Sequence, residues 1–358
     1  MAAAGAAAAL ALPGCATRPG TAPAVDPASG AASRRPGSSS PGALLRPPRL
    51  RPGDTVGLFA SATRLTDDWI ARAVANVESL GFRPRLGRHV RAQHGHYAGT
   101  VAQRIDDLHA LWGDPQVRAL WSIRGGAGTA QLLPHLDYAA FRRTPKAVIG
   151  FNDLTTLLLA LQRHAGLVGF HSIDAITEPS AYTRDAWQRV LMDPQPEARF
   201  EVSPAQPARA ERDPAYRPRT IRGGVAEGPL VGGNLSVLSA LVGTPYGAQT
   251  DGALLFLEEV GELPYRVDRM LTQLELAGLL GASAGIVGGV FRDCESPPEQ
   301  GGMLLAQPVN ERLGSAGVPA VYGLSFGHVR DQLVLPLGIR ARLDADARTL
   351  TLLEPAVV

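Results

Sequence analysis

Residues 147–160 read Ala-Val-Ile-Gly-Phe-Asn-Asp-Leu-Thr-Thr-Leu-Leu-Leu-Ala, and this stretch decides the fold. Its apolar, β-branched start ends at Gly150 and predicts a buried parallel strand. The leucines that follow recur at the spacing of one helix face, so a helix begins almost without a loop. A turn this tight raises one side chain, Asn152, at the carboxyl end of a sheet, beside free backbone N–H groups.

The segments before this stretch alternate between strand and helix patterns. Strands are predicted over 55–60, 83–86 and 117–123, and helices over 66–80 and 101–112. Such alternation favours an α/β fold with a parallel, Rossmann- or flavodoxin-like sheet, which we assign to an N-terminal domain of residues 49–178. The functional site is then expected at the carboxyl ends of the strands.

The second half of the chain predicts another domain. Residues 179–222 are rich in Pro and Arg with little apolar periodicity, which is typical of an inter-domain linker. Residues 223–358 return to strand and helix patterns and are assigned to a mixed β/α C-terminal domain. The expected fold class is therefore α/β with two domains.

The N-terminus differs in composition from the rest of the chain. Residues 2–12 form an apolar run too short to span a bilayer and lead into Pro-Gly-Cys15, which predicts a signal peptide over residues 1–15. This ending also resembles a lipoprotein processing site that would lipidate Cys15, and a disordered Ala-rich leader is a third interpretation. Residues 16–48 are rich in Pro, Gly and Ser and predict a flexible linker. A genuine leader implies the cell envelope, periplasmic or lipid-anchored; without one, the chain is cytoplasmic.

Composition excludes several classes of function. The formal net charge is +2, and the 35 Lys and Arg residues form no basic block, so a nucleic-acid partner is not expected. Two cysteines cannot form a disulfide framework or a thiolate metal site. His89, His94 and His96 share one loop without a carboxylate or cysteine at ligand spacing, so we interpret them as solvated and predict neither a metal nor another cofactor.

A glycine-rich loop, Arg124-Gly-Gly-Ala-Gly128, follows the strand at 117–123. It lacks the Gly-x-Gly-x-x-Gly spacing and the Lys-Ser/Thr ending of phosphate-binding loops. Two interpretations stay open. The N–H groups of Gly125 and Gly126 point at an oxygen that develops negative charge, or the glycines simply form a turn between strand and helix.

Glu258 and His328, like Asn152, each follow closely on a predicted buried strand. An imidazole whose second nitrogen is held by a carboxylate can take a proton from a nucleophile. A glutamate after a strand is also common as a solvated strand end. Spacing alone therefore leaves both interpretations of Glu258 open.

Several motifs in one order identify a family. They are Arg124–Gly128, Gly150–Thr155, Leu230–Leu235, Leu257–Glu259 with Pro264–Arg269, and Gly323–His328. Together they resemble the LD-carboxypeptidases (muramoyltetrapeptide carboxypeptidases), whose relatives include the microcin C immunity peptidases. The resemblance implies a serine hydrolase without metal that has a Ser-His-Glu triad in the cleft between its domains and releases the terminal D-alanine of peptidoglycan tetrapeptides. It assigns Glu258 as the triad acid, His328 as the base, and the backbone of Gly126 and Asp153 as the oxyanion hole.

The chain departs from the family pattern at three places. Asn152 stands where the family has its serine, Ala127 where it usually has tyrosine, and His171-Ser172 where it commonly has a Gly-Pro step. An amide nitrogen is not a usable nucleophile, so a serine mechanism at position 152 is excluded. Whether the chain is an enzyme is therefore left open by its sequence.

The remaining groups allow two functions of equal weight. One is an LD-carboxypeptidase-like hydrolase in which His328 activates a water positioned by Asn152, since Thr155 and Thr156 lie about one helical turn on and are expected to face away. The other is a non-catalytic binder of peptidoglycan stem peptides, in which Arg266 or Arg269 holds a carboxylate. Asn152 also suits a purely structural role as a helix cap. The expected partner is a peptidoglycan-derived peptide, and a homodimer stays open.

Overall fold

One half of the fold is built on a six-stranded sheet. The computed structural model describes residues 44–296 and 302–358. The strands of this sheet are β1 (Thr55–Phe59), β2 (Arg83–Leu86), β3 (Val117–Ser122), β4 (Ala147–Gly150), β5 (Phe170–His171) and β12 (Leu335–Pro336). Their order is β12-β5-β4-β3-β1-β2; β1 to β5 run parallel, and β12 is antiparallel to β5. The order of β1 to β5 is that of flavodoxin-like sheets, which confirms the predicted parallel α/β unit.

Helices flank this sheet, and their ends follow from the sequence. They are α1 (Asp67–Ser79), α2 (Val101–Gly113), α3 (Tyr138–Arg143) and α4 (Thr155–Ala165), with 3-10 turns at Thr129–His135 and Asn152–Leu154. The Thr66 hydroxyl accepts a hydrogen bond from Trp69 N and caps α1. Thr100 and Gln103 form a capping box at the start of α2.

The other half is built on an eight-stranded mixed sheet. Its strands are β6 (Ala198–Phe200), β7 (Arg219–Arg222), β8 (Val225–Asn234), β9 (Leu254–Val260), β10 (Gly285–Arg292), β11 (Ala320–Tyr322), β13 (Arg340–Asp344) and β14 (Thr349–Leu352). The order is β6-β14-β13-β8-β9-β10-β11-β7, with β8 to β11 parallel and the outer pairs antiparallel. After residue 178 the helices are α5 (Ala181–Trp187), α6 (Gln206–Ala210), α7 (Leu235–Ala240), α8 (Pro264–Leu276), α9 (Leu279–Ala282) and α10 (Ala306–Ser315), with a π-helical turn at Gln188–Met192 and a 3-10 turn at Pro214–Tyr216. Of these, α5 packs against the first half, since Trp187 contacts Trp121 and Arg184 bonds to Ser79. The mixed sheet confirms the predicted mixed β/α domain.

Three predicted boundaries are wrong. Residues 179–222 are not a linker, because they form α5, α6 and both edge strands of the second sheet, β6 and β7. Within 223–358, β12 joins the first sheet instead of the second. Residues 44–48 belong to the fold, since Leu45 bridges to Leu167 and its N–H donates to Gly166 O at 2.7 Å. The predicted signal peptide, Cys15 and the linker up to residue 43 lie outside the described residues.

One continuous apolar core runs through both sheets. Within it, Trp121 of β3 and Trp187 of α5 pack with ring centroids 4.6 Å apart. Both indole N–H groups are satisfied, since Trp121 donates to Ile173 O at 2.8 Å and Trp187 donates to Ser172 Oγ at 3.1 Å. The two predicted domains therefore share a core. Across residues 44–296 and 302–358, no helix has the length and apolar character needed to cross a membrane.

The two sheets meet where the first turn of α4 lies against β8. Thr155 Oγ1 accepts a hydrogen bond from Asn234 N at 3.1 Å. Two positions of β8 have no room for a side chain. A Cβ at Gly233 would lie 2.4 Å from the Thr155 side chain on α4, and a Cβ at Gly232 would lie 1.9 Å from Phe256 O on β9. The Gly-Gly pair therefore lets the helix and two strands approach closely.

We expect Gly232→Ala to lower the free energy of unfolding by about 3 kcal/mol or more, because its Cβ would meet the backbone of β9 at a φ of +149°. Gly261→Ala is the matched control. Gly261 also has a positive φ, +71°, but nothing lies within 4 Å of its Cβ position, so a loss of about 1 kcal/mol is expected. Denaturant unfolding measures both, and equal losses would contradict the packing described.

Candidate active site

Asn152 lies at the bend between β4 and α4, as the sequence predicts. Its φ is +58°, a left-handed backbone conformation that asparagine adopts more readily than most residues with a side chain. The chain turns directly from β4 through a 3-10 turn into α4. The Asn152 side chain is thereby raised at the carboxyl edge of the first sheet.

Glu258 and His328 form a hydrogen-bonded pair. Glu258 lies in β9 and is fully buried, and its Oε2 is 2.8 Å from His328 Nδ1. Burial has the largest effect on the pKa of Glu258 and would raise it, but His328, with smaller contributions from His171 and Asn234, lowers the pKa below its ordinary value. Burial has the largest effect on the pKa of His328 and would lower it, but the Glu258 carboxylate, with smaller contributions from Glu259 and Asp174, raises the pKa above its ordinary value. The pair therefore favours a carboxylate beside an imidazolium.

The Asn152 carboxamide lies between this pair and the glycine-rich loop. Its Oδ1 accepts hydrogen bonds from Gly126 N at 3.0 Å and from Asp153 N at 2.6 Å. Its Nδ2 is 2.6 Å from His328 Nε2. Because two N–H donors fix the position of the amide oxygen, the amide nitrogen must face the imidazole. The structure thus brings Asn152, Glu258, His328 and the backbone of Gly126 and Asp153 into one hydrogen-bonded group.

His328 receives opposite demands on its two ring nitrogens. The carboxamide nitrogen only donates, so it favours a neutral ring that accepts at Nε2. Glu258 favours the imidazolium, whose Nε2–H would meet another donor. An acceptor at position 152 would remove this conflict. The surroundings of position 152 are therefore electrostatically better suited to an acceptor than to the carboxamide it holds.

Gly125 and the two threonines after the bend have packing roles in the structure. A Cβ at Gly125 would lie 2.7 Å from Asn152 Cβ and Oδ1, so the loop backbone covers one side of the carboxamide. Thr155 and Thr156 are buried, and Thr156 Oγ1 donates to Asp153 O while Thr155 Oγ1 accepts from Asn234 N. Both hydroxyls are thus engaged away from His328, as the sequence predicts.

Arg266 does not join this group. It lies near the start of α8, where its guanidinium bonds to the Tyr265 hydroxyl at 3.2 Å and to Glu262 at 3.4 Å. Among the described residues it makes no hydrogen bond to Asn152, Glu258 or His328. Its role as a carboxylate ligand stays a prediction, and would require it to turn away from Glu262.

The expectation that no carboxylate accompanies His89 is wrong. Asp106 Oδ2 of α2 lies 3.0 Å from His89 Nε2, and the Asp107 carboxylate accepts from His89 N at 3.0 Å. The sequence hid this cluster because 17 residues separate His89 from Asp106. Asp107 is bound to the His89 backbone and Asp106 is exposed, so we assign the cluster to holding the loop on α2.

His171, at the end of β5, lies buried near the Glu258–His328 pair. Within the described part of the chain, neither of its ring nitrogens nor Glu258 Oε1 has a hydrogen-bond partner. Burial lowers the pKa of His171 to about 4. Phe256 and Phe151 approach it edge-on, with ring centroids at 5.3 and 6.0 Å. His171 is therefore a neutral imidazole held between aromatic rings near Glu258 and His328.

Asp174 is not among the site residues predicted from the sequence. It follows β5 and lines a cavity of ≈ 380 Å³ together with Phe151 and His328. Burial raises its pKa to about 6, and Thr177 Oγ1 donates to it at 2.6 Å. Its position just after a parallel strand is the signal that could have found it. The cavity gives a ligand access to the base.

These features define a class: a two-sheet α/β protein with a hydrolase-type site, in which a carboxylate-held imidazole faces a residue flanked by two backbone N–H donors. The chain belongs to the LD-carboxypeptidase family. Residues 56–172 match the family's N-terminal domain and residues 227–343 match its C-terminal domain.

Relatives and a solved structure agree with this assignment. A probable murein peptide carboxypeptidase of Bacillus subtilis is 34% identical over 309 residues, which cover 85% of this chain and 93% of the relative. The murein tetrapeptide carboxypeptidase of Pseudomonas aeruginosa is 33% identical, covering 81% of this chain and 93% of the relative. The crystal structure of muramoyltetrapeptide carboxypeptidase from Oxalobacter formigenes has a TM-score of 0.72 and 28% identity, covering 83% of this chain and 97% of that one. The family predicted from the motifs is confirmed.

We expect His171 to make the fold less stable in acid. Its folded-state pKa of about 4 lies below its ordinary 6.5, so the unfolded state takes up the proton first. As the pH falls through this window, stability should decline by about 3 kcal/mol on account of His171. His171→Leu, similar in volume, should lose this part of the pH dependence in denaturant unfolding.

The difference between the two pH profiles reports on His171 together with its coupling to Glu258 and His328, because Asp174 and the other titrating groups are present in both proteins. His94→Leu is the control, since His94 lies exposed in a loop, and its profile should match the wild type. Identical acid profiles for wild type and His171→Leu would show that His171 is not buried as described.

Proposed function

We propose that the chain is an LD-carboxypeptidase-like hydrolase whose cleft takes peptidoglycan tetrapeptides and releases their terminal D-alanine. The observation that carries this proposal is the Glu258–His328 pair, which is held at 2.8 Å and directs Nε2 at position 152. The N–H groups of Gly126 and Asp153 converge on one point and can hold a developing oxyanion. The names of the Bacillus subtilis and Pseudomonas aeruginosa relatives support the substrate class.

Hydrolysis by this chain has to use water in place of a serine. Loss of the serine from a comparable triad costs about 10⁶ in turnover and leaves roughly 10³ to 10⁴ over water. His328 can activate a water only after Asn152 Nδ2 leaves Nε2, and a substrate carbonyl must displace Oδ1 from Gly126 N and Asp153 N. We therefore expect slow release of D-alanine from the native chain.

A second candidate function is non-catalytic binding of peptidoglycan stem peptides. It is favoured by the Asn152 carboxamide, which occupies the two N–H donors with its oxygen and the base with its nitrogen. In this state neither the oxyanion donors nor His328 are free for a substrate. The cavity of ≈ 380 Å³ beside His328 would still accept part of a peptide.

We also propose a location in the cell envelope. Two features support it: the proposed ligand is peptidoglycan, and an apolar N-terminal run precedes Cys15. We further propose a lipid anchor at Cys15 and a homodimer. The peptide ligand is the better supported partner, because relatives that span most of this chain are named murein carboxypeptidases.

Asn152→Ser should speed the release of D-alanine from a tetrapeptide by about 10³-fold or more, because it supplies a hydroxyl to a base that is already positioned. Chromatographic detection of free D-alanine measures the rate. Asn152→Ala is the matched control, since it removes the carboxamide without supplying a nucleophile. A serine variant no faster than the alanine variant would contradict a complete cleft around position 152.

The native protein should bind a tetrapeptide that ends in D-alanine, as measured by calorimetry, because the cleft and its donors are assembled. If it is a hydrolase, His328→Ala should abolish its release of D-alanine while binding persists. Binding without any release in the native protein would favour the binder. Absence of binding would rule out both functions.

A further inference from the structure

The Asn152 side chain is itself an amide, and it lies where a substrate amide would lie. Its carbonyl oxygen accepts from Gly126 N at 3.0 Å and from Asp153 N at 2.6 Å. Its nitrogen is 2.6 Å from His328 Nε2. In hydrolases that cleave amides, these are the places of the carbonyl oxygen that becomes an oxyanion and of the leaving nitrogen that receives a proton.

The same surroundings would hold the product of amide hydrolysis better than they hold the carboxamide. A carboxylate at position 152 would accept hydrogen bonds from both N–H groups and also from a protonated His328 Nε2. His328 would then satisfy Glu258 and position 152 at once. The conflict between the amide donor and the imidazolium would disappear.

We propose that the protein hydrolyses its own Asn152 carboxamide, which leaves an aspartate at position 152, with His328 as the catalytic residue. A water molecule replaces Nδ2–H as the donor to the neutral His328 at Nε2, bonds through its oxygen to Cγ and gives a proton to Nε2, while Gly126 N and Asp153 N hold the oxyanion formed at Oδ1. His328 passes this proton to Nδ2, the Cγ–Nδ2 bond breaks with its electron pair on nitrogen, and ammonia leaves. The new carboxylic acid protonates the ammonia. In sum, carboxamide and water become carboxylate and ammonium.

The geometry separates this route from ordinary deamidation. In ordinary deamidation the backbone nitrogen of the next residue attacks Cγ and a mixture with isoaspartate results. Here the N–H of Asp153 is directed at Oδ1 as a donor, so Asp153 N stabilises the oxyanion instead of attacking. Hydrolysis by water therefore gives aspartate alone.

The loop backbone restricts the approach of water to the carboxamide, and a cavity lies beside the base. The backbone of Gly125 covers one side, since a Cβ there would lie 2.8 Å from Asn152 Cγ. Asn152 is only half-buried, and the cavity of ≈ 380 Å³ lined by Phe151 and His328 opens beside the base. The reaction needs no peptide ligand, so it stands or falls independently of the proposed function.

The test follows residue 152 by tandem mass spectrometry of digests of the full chain. The protein is purified and incubated in heavy-oxygen water, and Asn152→Asp supplies the reference peptide. We expect aspartate at position 152 in the wild type, either at purification or during incubation, with one heavy oxygen for each conversion in the labelled water. Asn310, exposed in α10, is the internal reference and should stay asparagine over the same time.

His328→Ala should slow the conversion by about 100-fold or more, the usual contribution of a positioned acid–base group. Should that variant fail to fold, as judged by circular dichroism, His328→Gln and Glu258→Gln test the same step and should also slow it. The proposal is overturned if Asn152 stays intact as long as Asn310 does, if the folded variants convert as fast as the wild type, or if isoaspartate forms.

Discussion

A chain of hydrogen bonds runs from Glu258 through His328 and Asn152 to the backbone N–H groups of Gly126 and Asp153. It joins β9 and the loop after β11 of one sheet to β4 and the loop after β3 of the other. Only a side chain with an acceptor at one end and a donor at the other can bridge from the N–H groups to a neutral imidazole. Asparagine therefore occupies both the N–H donors and the imidazole, whereas a serine would leave the donors free for a substrate.

The architecture follows from the sequence where the patterns are long. The stretch at 147–160 has a strand and a helix whose apolar residues define their buried faces, and both form as predicted. The edge strands β6, β7 and β12 have only two to four residues, and their register is set by distant partners. Segments this short show no apolar periodicity, and the pattern of residues 179–222 therefore predicts a linker where the structure has short strands.

The same limit applies to the site. Asn152, Glu258 and His328 could be found because each follows a predicted buried strand, and parallel strands end at one edge. His171 and Asp174 are notable because they are buried, and burial cannot be read from a single sequence. The motifs also do not show where the backbone N–H groups point. The N–H groups of Gly126 and Asp153 donate to the Asn152 side chain itself, which fills the place expected for a substrate oxygen.

The side chain at position 152 makes its own demand on the protonation state of His328, because the donors and Glu258 are fixed by the fold. The carboxamide donates to Nε2 and favours a neutral imidazole, whereas the buried Glu258 raises the pKa of His328 and favours the imidazolium. A fully buried carboxylate is costly, and replacing a buried ion pair by apolar residues is often neutral or stabilising by about 1–4 kcal/mol. A protein that only bound peptides would not need the Glu258–His328 pair for its stability. Its presence beside aligned oxyanion donors is the physical argument for proton transfer in this cleft, with a peptide or with the Asn152 amide as the reacting group.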